Sequence, residues 1–364
     1  MGDWDGKTMA SIIRDSVSSS SAPFSKSREI GAGKLLIDQS QLYAFGYKVS
    51  VQPYPIVRRF APDGSQIWQK AWPDLVDDMP YGSLKVGNDV VMLSGSTYSS
   101  KDERIARFVR FDRDGNEVAR KEVKVGMSEF IIGQWALLSR LGPDLALIVN
   151  SRQFGNFGSS EALFGLPTLC PGPLEATVYL LDATTFEVRK TLKISDLQVI
   201  AADGGDQELK IGGQTRGSCE DSGKGILLRV TPGLRSSTVW KDDDAFPSNI
   251  QAVATSTDEI LFAVKRQRPI GVRRLGAAAP EVATKRWGDG GDELLEFSIL
   301  KLGVDGRAIS IYDSAFGLSS FAQGLVLHRG SRSSMAALAV ARRFRPNSEA
   351  IEAIMLAVCD ALLE

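Results

Sequence analysis

Histidine is almost missing from this chain of 364 residues, which carries one, His328. Every site that needs two or three imidazoles is thereby excluded. Cysteine is nearly as scarce. Cys170, Cys219 and Cys359 are too few for a disulfide-built scaffold and lack the CxxC or Cys/His spacing of a zinc site. Neither sign of charge is in excess: 43 Lys and Arg stand against 44 Asp and Glu, a formal net charge of -1. A chain so balanced has no global attraction to nucleic acid or to an acidic membrane. No apolar run approaches the roughly 18 residues of a membrane-crossing helix, so no span is expected. The first residues, "MGDWDGKTMASIIRDSV", hold no basic stretch followed by an apolar one, so no secretory leader is visible.

Long stretches of period 3.6 are scarce as well. In their place, short alternating runs bounded by Gly, Pro, Asn, Asp and Ser recur along the chain, which is the pattern of strands and tight turns. Three segments share one grammar: "IVRRFAPDGSQIWQKAW" (56–72), "FVRFDRDGNEVARKEV" (108–123) and "ILKLGVDGRAISIY" (299–312). Each reads as strand, Asp-Gly turn, strand. Two more keep the frame without Asp-Gly, "VYLLDATTFEVRKTL" (178–192) and "ILLRVTPGLRSSTVW" (226–240). Glycine supplies the positive φ that such a turn needs. A calcium loop would instead need several oxygen ligands converging on one ion, with a distal Glu, and none of these segments continues that way.

Two further strands precede each hairpin, so the repeating unit has four strands, A to D, at a period of roughly 50 to 70 residues. The fold expected is all-β: a single domain over residues 1–364, a six-bladed β-propeller of four-stranded antiparallel blades. The blades fall at about 28–74, 79–126, 129–195, 197–243, 248–314 and 316–364. The last lacks a D strand, and an N-terminal strand over 6–16 would supply it and close the ring, removing exposed edges. On this reading "EAIMLAVCDALLE" is a strand, although its composition favours helix.

"RFAPDGSQIWQKAW" resembles the repeat of the PQQ-like (quinoprotein-type) propeller superfamily, in which a short Asp/Gly turn leads into a strand bearing Trp, here Trp68. "TPGLRSSTVW", with Trp240, is a partial second match. The resemblance covers the hairpin halves of most blades and implies the fold. It implies no catalytic residue and no cofactor, because the cofactor-binding set of the quinoprotein dehydrogenases is absent.

Two blades are longer than the rest between strands B and C. The blade three insert, "RQFGNFGSSEALFGLPTLCPGPLEA", carries Phe154, Phe157, Leu163, Phe164 and Leu166. The blade five insert, "KRQRPIGVRRLGAAAPEVATKRWGDGGDE", carries Lys265, Arg266, Arg268, Arg273, Arg274, Lys285, Arg286 and Trp287. Loops of this length are commonly functional, and Arg with aromatics makes good interface anchors. The bland readings are aromatics folded over their own blade and a solvated charge run. The function expected is a non-catalytic propeller gripping a protein partner, an assembly factor or inhibitor, through Phe154, Phe157, Phe164, Arg268, Arg273, Arg274, Arg286 and Trp287. The alternative is a hydrolase acting on a glycan or ester at the axial pocket. Serine chemistry with a histidine base could use only His328, and no GxSxG elbow exists.

Cys170 and Cys219 fall in B–C loops of neighbouring blades, within reach of a disulfide. That bond would favour an oxidising compartment, the periplasm or the cell exterior. Cys359, in "LAVCD", reads as a small buried hydrophobe. The acid clusters at 203–206, 242–244 and 289–293 could offer oxygens to calcium, but exposed turns of this composition are common without an ion. No metal and no cofactor are expected.

Overall fold

In a computed structural model of the chain, the residues described are 28–38, 41–49, 53–96, 104–125, 136–152, 174–215, 223–245, 247–255, 260–269, 293–303, 305–317, 320–329, 334–343 and 351–355. Among them the regular structure is all strand, arranged as six antiparallel sheets whose strands follow chain order. Sheet one is β1 (Arg28–Asp38), β2 (Gln41–Val49), β3 (Tyr54–Phe60) and β4 (Gln66–Ala71). Sheet two is β5 (Asp78–Val86), β6 (Asp89–Ser96), β7 (Arg104–Phe111) and β8 (Glu117–Val125). Sheet three is β9 (Ala136–Leu141), β10 (Asp144–Arg152), β11 (Leu174–Leu181) and β12 (Val188–Ser195). Sheet four is β13 (Leu197–Gly204), β14 (Leu209–Thr215), β15 (Gly225–Val230) and β16 (Ser236–Lys241). Sheet five is β17 (Ser248–Thr255), β18 (Ile260–Pro269), β19 (Glu293–Leu302) and β20 (Ala308–Gly317). Sheet six holds β21 (Ser320–Arg329), β22 (Ser334–Arg343) and β23 (Ile351–Met355). Ile351–Met355 is thus a strand, paired to β22 through Arg343 and Arg342. The helix-forming residues of this segment yield to an available sheet edge. Residues 6–16, the strand expected to complete the last blade, lie outside the described residues.

The third-to-fourth-strand turns are built alike. Ala61 N–H donates to Ser65 and Gly64 N–H to Ala61; Asp112 and Gly115, Thr231 and Leu234, and Gly303 and Gly306 repeat the pair of bonds. The residue closing the inner bond has positive φ each time: Gly64 at 83°, Gly115 at 79°, Gly306 at 78°, but Leu234 at 56°. Phe186, at 59°, fills the same role in the one longer turn. Asp63 and Asp112 accept backbone N–H groups of their own turns. These segments are hairpin turns.

A second repeated detail lies in the inner strands. In sheets two, four, five and six the first strand bulges at its fourth residue, Tyr81, Ile200, Gln251 and Gln323, between shifted registers with the second. A bulge leaves one residue unpaired and re-aims its side chain.

Sheets bury their apolar faces against one another. Tyr43, Phe45 and Val57 of sheet one meet Met92, Val109 and Phe111 of sheet two. Phe108 of sheet two stacks on Phe186 of sheet three at 5.2 Å between ring centroids. Further clusters join sheets three to four and four to five. Each such fully buried side chain stabilises the fold by about 1.5–3 kcal/mol relative to exposure. Trp68 packs edge-on to Phe111, and Trp240 packs on Phe262, each from an outermost strand onto the next sheet. Glycine permits the closest approach: a Cβ on Gly204 would lie 1.8 Å from the Arg140 carbonyl oxygen of sheet three.

Candidate functional site

Because each sheet is a simple meander, its first strand begins, its second ends, its third begins and its fourth ends on one side. The connections between sheets and the loops after β10 and β18 leave from that side, here termed the loop end. Buried polar side chains gather there, among them Asp78, Ser94, Arg104, Asn150, Asp242, Ser248 and Arg266. A buried polar group must find partners or cost free energy, so each such group reports a built arrangement.

At the junction of sheets one and two, Asp78 opens β5 and has no solvent exposure. Its neighbour Asp77 sits at φ 62°, after donating its N–H to the Pro53 carbonyl, and this turn directs Asp78 inward. Asp196, just before β13, also has a positive φ, 56°. Ser94 Oγ donates to Asp78 Oδ2 at 3.0 Å, and Arg107 donates to Oδ1 at 2.5 Å. Arg107 also donates through Nε to Glu122 Oε1 at 2.7 Å. Register explains the row: Ser94 pairs with Arg107 and Arg107 with Glu122 across β6, β7 and β8. Burial pushes the Asp78 carboxyl up to about 6; Arg107 and Ser94 pull the other way, and the Glu122 charge adds to the rise.

At the junction of sheets four and five, Asp242 follows β16 and meets Arg266 of β18. Arg266 donates to Asp242 through Nε at 2.9 Å and NH2 at 3.3 Å, and its NH1 reaches Ser298 Oγ at 3.0 Å. Ser248 Oγ accepts the Gly225 N–H at 2.8 Å and donates to Asp242. Burial pushes the Asp242 carboxyl up, but Arg266, Ser248 and the Asp244 amide outweigh it and hold it below the usual range. Between these junctions, the Asn150 amide spans sheets three and four. Its Nδ2 donates to the Val199 carbonyl at 2.7 Å and its Oδ1 accepts the Val199 N–H at 2.8 Å.

Several sequence expectations are corrected here. Lys265, Arg266 and Arg268 do not belong to a loop: they lie in β18, and Arg266 is buried in an ion pair. Two of the acid clusters have protein partners, since Asp203 accepts from the Thr255 N–H and hydroxyl, Asp206 pairs with Arg140, and Asp242 with Arg266. Among the described residues no group of three or more His, Cys, Asp and Glu side chains is gathered as a cation would need, and no helix is long and apolar enough to cross a membrane. Phe154, Phe157, Phe164, Cys170, Cys219, Arg273, Arg274, Arg286, Trp287 and Cys359 lie outside the described residues. His328 stands in β21 opposite Met335, and Arg268 in β18 opposite Leu294.

No family model matches the chain, and no curated protein does. Solved structures of similar form include a variant of the Synechocystis apocarotenoid oxygenase, at 11% identity and TM-score 0.42, covering 86% of this chain and 67% of that one. Others are an ACO/RPE65 chimera, at 11% and 0.44 over 85% of this chain and 65% of that one, and the cobalt-substituted Synechocystis enzyme, at 11% and 0.43 with the same coverage. This chain spans about two thirds of their length. The expectation of a non-catalytic assembly factor or inhibitor is corrected by this finding: the structures of like form are enzymes.

Proposed function

We propose that this chain is an enzyme built on a closed ring of six PQQ-like blades, the sixth completed by residues 6–16, and that it works by general acid–base chemistry at the loop end, with Asp78 as the proton carrier. Closure is supported by the approach of β21 to β1. The PQQ-like reading is supported by Trp68 and Trp240 packing onto the following sheet.

The observation that carries the catalytic reading is the Asp78 carboxyl: fully buried, oriented by Ser94 and Arg107, and raised to about 6. A group half-protonated near the working pH can both give and take a proton, which is the condition for efficient general acid–base catalysis. Arg107 bridges it to the half-exposed Glu122, a route by which charge at the surface reaches the buried group.

The test is a turnover screen of the purified chain over small substrates whose reactions require proton transfer, followed by Asp78→Asn. Expected is an activity whose pH profile bends near 6 and which falls about 10²–10⁴-fold in the variant. An activity that Asp78→Asn leaves at full rate with the same bend would overturn the assignment.

A further inference from the structure

Lys265 lies in β18 next to Arg266, yet the two cations are treated in opposite ways. Arg266 turns toward sheet four, as Phe262 and Val264 do, and is bound by Asp242. Lys265 turns to the other face and is half-buried. Burial draws its ammonium below the ordinary lysine range, and among the described residues no hydrogen bond or opposite charge offsets that burial. Directly across from it on the inner strand is Asn249, and beyond Asn249 is Gln251, the bulge residue of β17. Gln251 Nε2 donates to Asn249 Oδ1. With its oxygen so engaged, Asn249 has its own Nδ2 hydrogens to offer. All three side chains keep partial exposure, on the two innermost strands of one sheet and toward the loop end.

We infer that Lys265, Asn249 and Gln251 form a covalent site for small aldehydes and ketones, with Lys265 as the amine nucleophile and the amide pair as the polar wall that receives the carbonyl oxygen. The combination is what imine formation requires: an amine half-buried beside neutral amides, and a hydrogen-bond donor where negative charge develops on oxygen. The lone pair of Nζ forms the C–N bond while the carbonyl π electrons move to oxygen, which takes a proton. The carbinolamine then loses that oxygen as water, its second proton coming from the nitrogen, and leaves a C=N bond. No electrons are gained or lost, and water reverses the step. A carboxylate in the place of Asn249 or Gln251 would hold the lysine protonated; a neutral amide does not. This site is separate from Asp78 and stands whether or not that residue is catalytic.

The test uses the whole chain with benzaldehyde and sodium cyanoborohydride at neutral pH, the borohydride supplying the hydride that fixes the imine as a secondary amine. Adducts are located by digestion and mass spectrometry. Lys265 is expected to react several-fold faster than Lys193, an exposed lysine paired with Glu175 at 3.3 Å. Asn249→Ala is expected to slow Lys265 and leave Lys193 unchanged, with Gln251→Ala as the second variant where the first does not fold. Labelling of Lys265 no faster than Lys193 would overturn the site, and an undiminished Lys265 rate in the folded amide variants would overturn the role given to the amides.

Discussion

The junction of sheets one and two and the junction of sheets four and five each bury an aspartate against an arginine and a serine, yet the two carboxyls respond in opposite directions. Asp242 receives two bonds from Arg266, one from Ser248 and one from the Asp244 amide. Asp78 receives one from Ser94 and one from an arginine that also serves Glu122. Burial opposes the charged form in both places. Four donors overcome it at Asp242, and two, one of them shared, do not at Asp78. The lesson is that an arginine contact does not settle a carboxylate's state; the count of donors set against burial decides it. One junction is a strut, and the other holds a proton loosely.

The largest effect that sharpens this contrast is at the strut. Asp242→Asn leaves the buried Arg266 with only its longer contact to Asp244, at 3.7 Å, and should cost about 3 kcal/mol at neutral pH, read from denaturant unfolding. Because the native Asp242 carboxyl is held below its unfolded value, its contribution is present above the unfolded pKa and is lost as pH falls through the native one. At Asp78 the sign reverses. With a native value near 6 and an unfolded value of about 3.9, the carboxyl favours the folded state at low pH, and that advantage declines as pH rises from about 4 to 6. The cost above pH 6 is up to roughly 3 kcal/mol. Asp78→Asn should therefore melt higher than wild type at pH 7.5 and at about the same temperature near pH 4. A variant that melts lower at pH 7.5 would make Asp78 a second strut. The smallest effect is at Glu122, whose partial exposure limits its ion pair to about 0–1 kcal/mol. Glu122→Gln should hardly change stability while moving the Asp78 titration toward the usual carboxylate range, because a nearby negative charge has gone. An unmoved titration would show that burial alone sets the state of Asp78.

The turns were legible because chemistry and position coincide in them: Gly64, Gly115 and Gly306 stand where the chain must be left-handed. Leu234 and Phe186 take that conformation without glycine, and only the alternation of the flanking strands reveals those two turns. Neither junction could be read in this way. Asp78 and Arg107 are 29 residues apart and meet through the strand register of sheet two, and Asp242 and Arg266 are 24 apart and meet through the way sheet five is set against sheet four. The run "AVKRQRPIG" misled for a related reason. Its charges look like a solvated loop, whereas Val264 and Arg266 face sheet four, Lys265 takes the opposite face of the strand, and the side facing sheet four has an aspartate waiting for Arg266. Lys265 was passed over with it, since only the register with Asn249 distinguishes this lysine from a surface one.

The claim on which the functional account depends is the protonation state of a single carboxyl. A ¹³C-carboxyl NMR titration of the whole chain, assigned by comparison with Asp78→Asn, measures it directly. The account predicts an Asp78 midpoint near 6; a midpoint below 4 would contradict it.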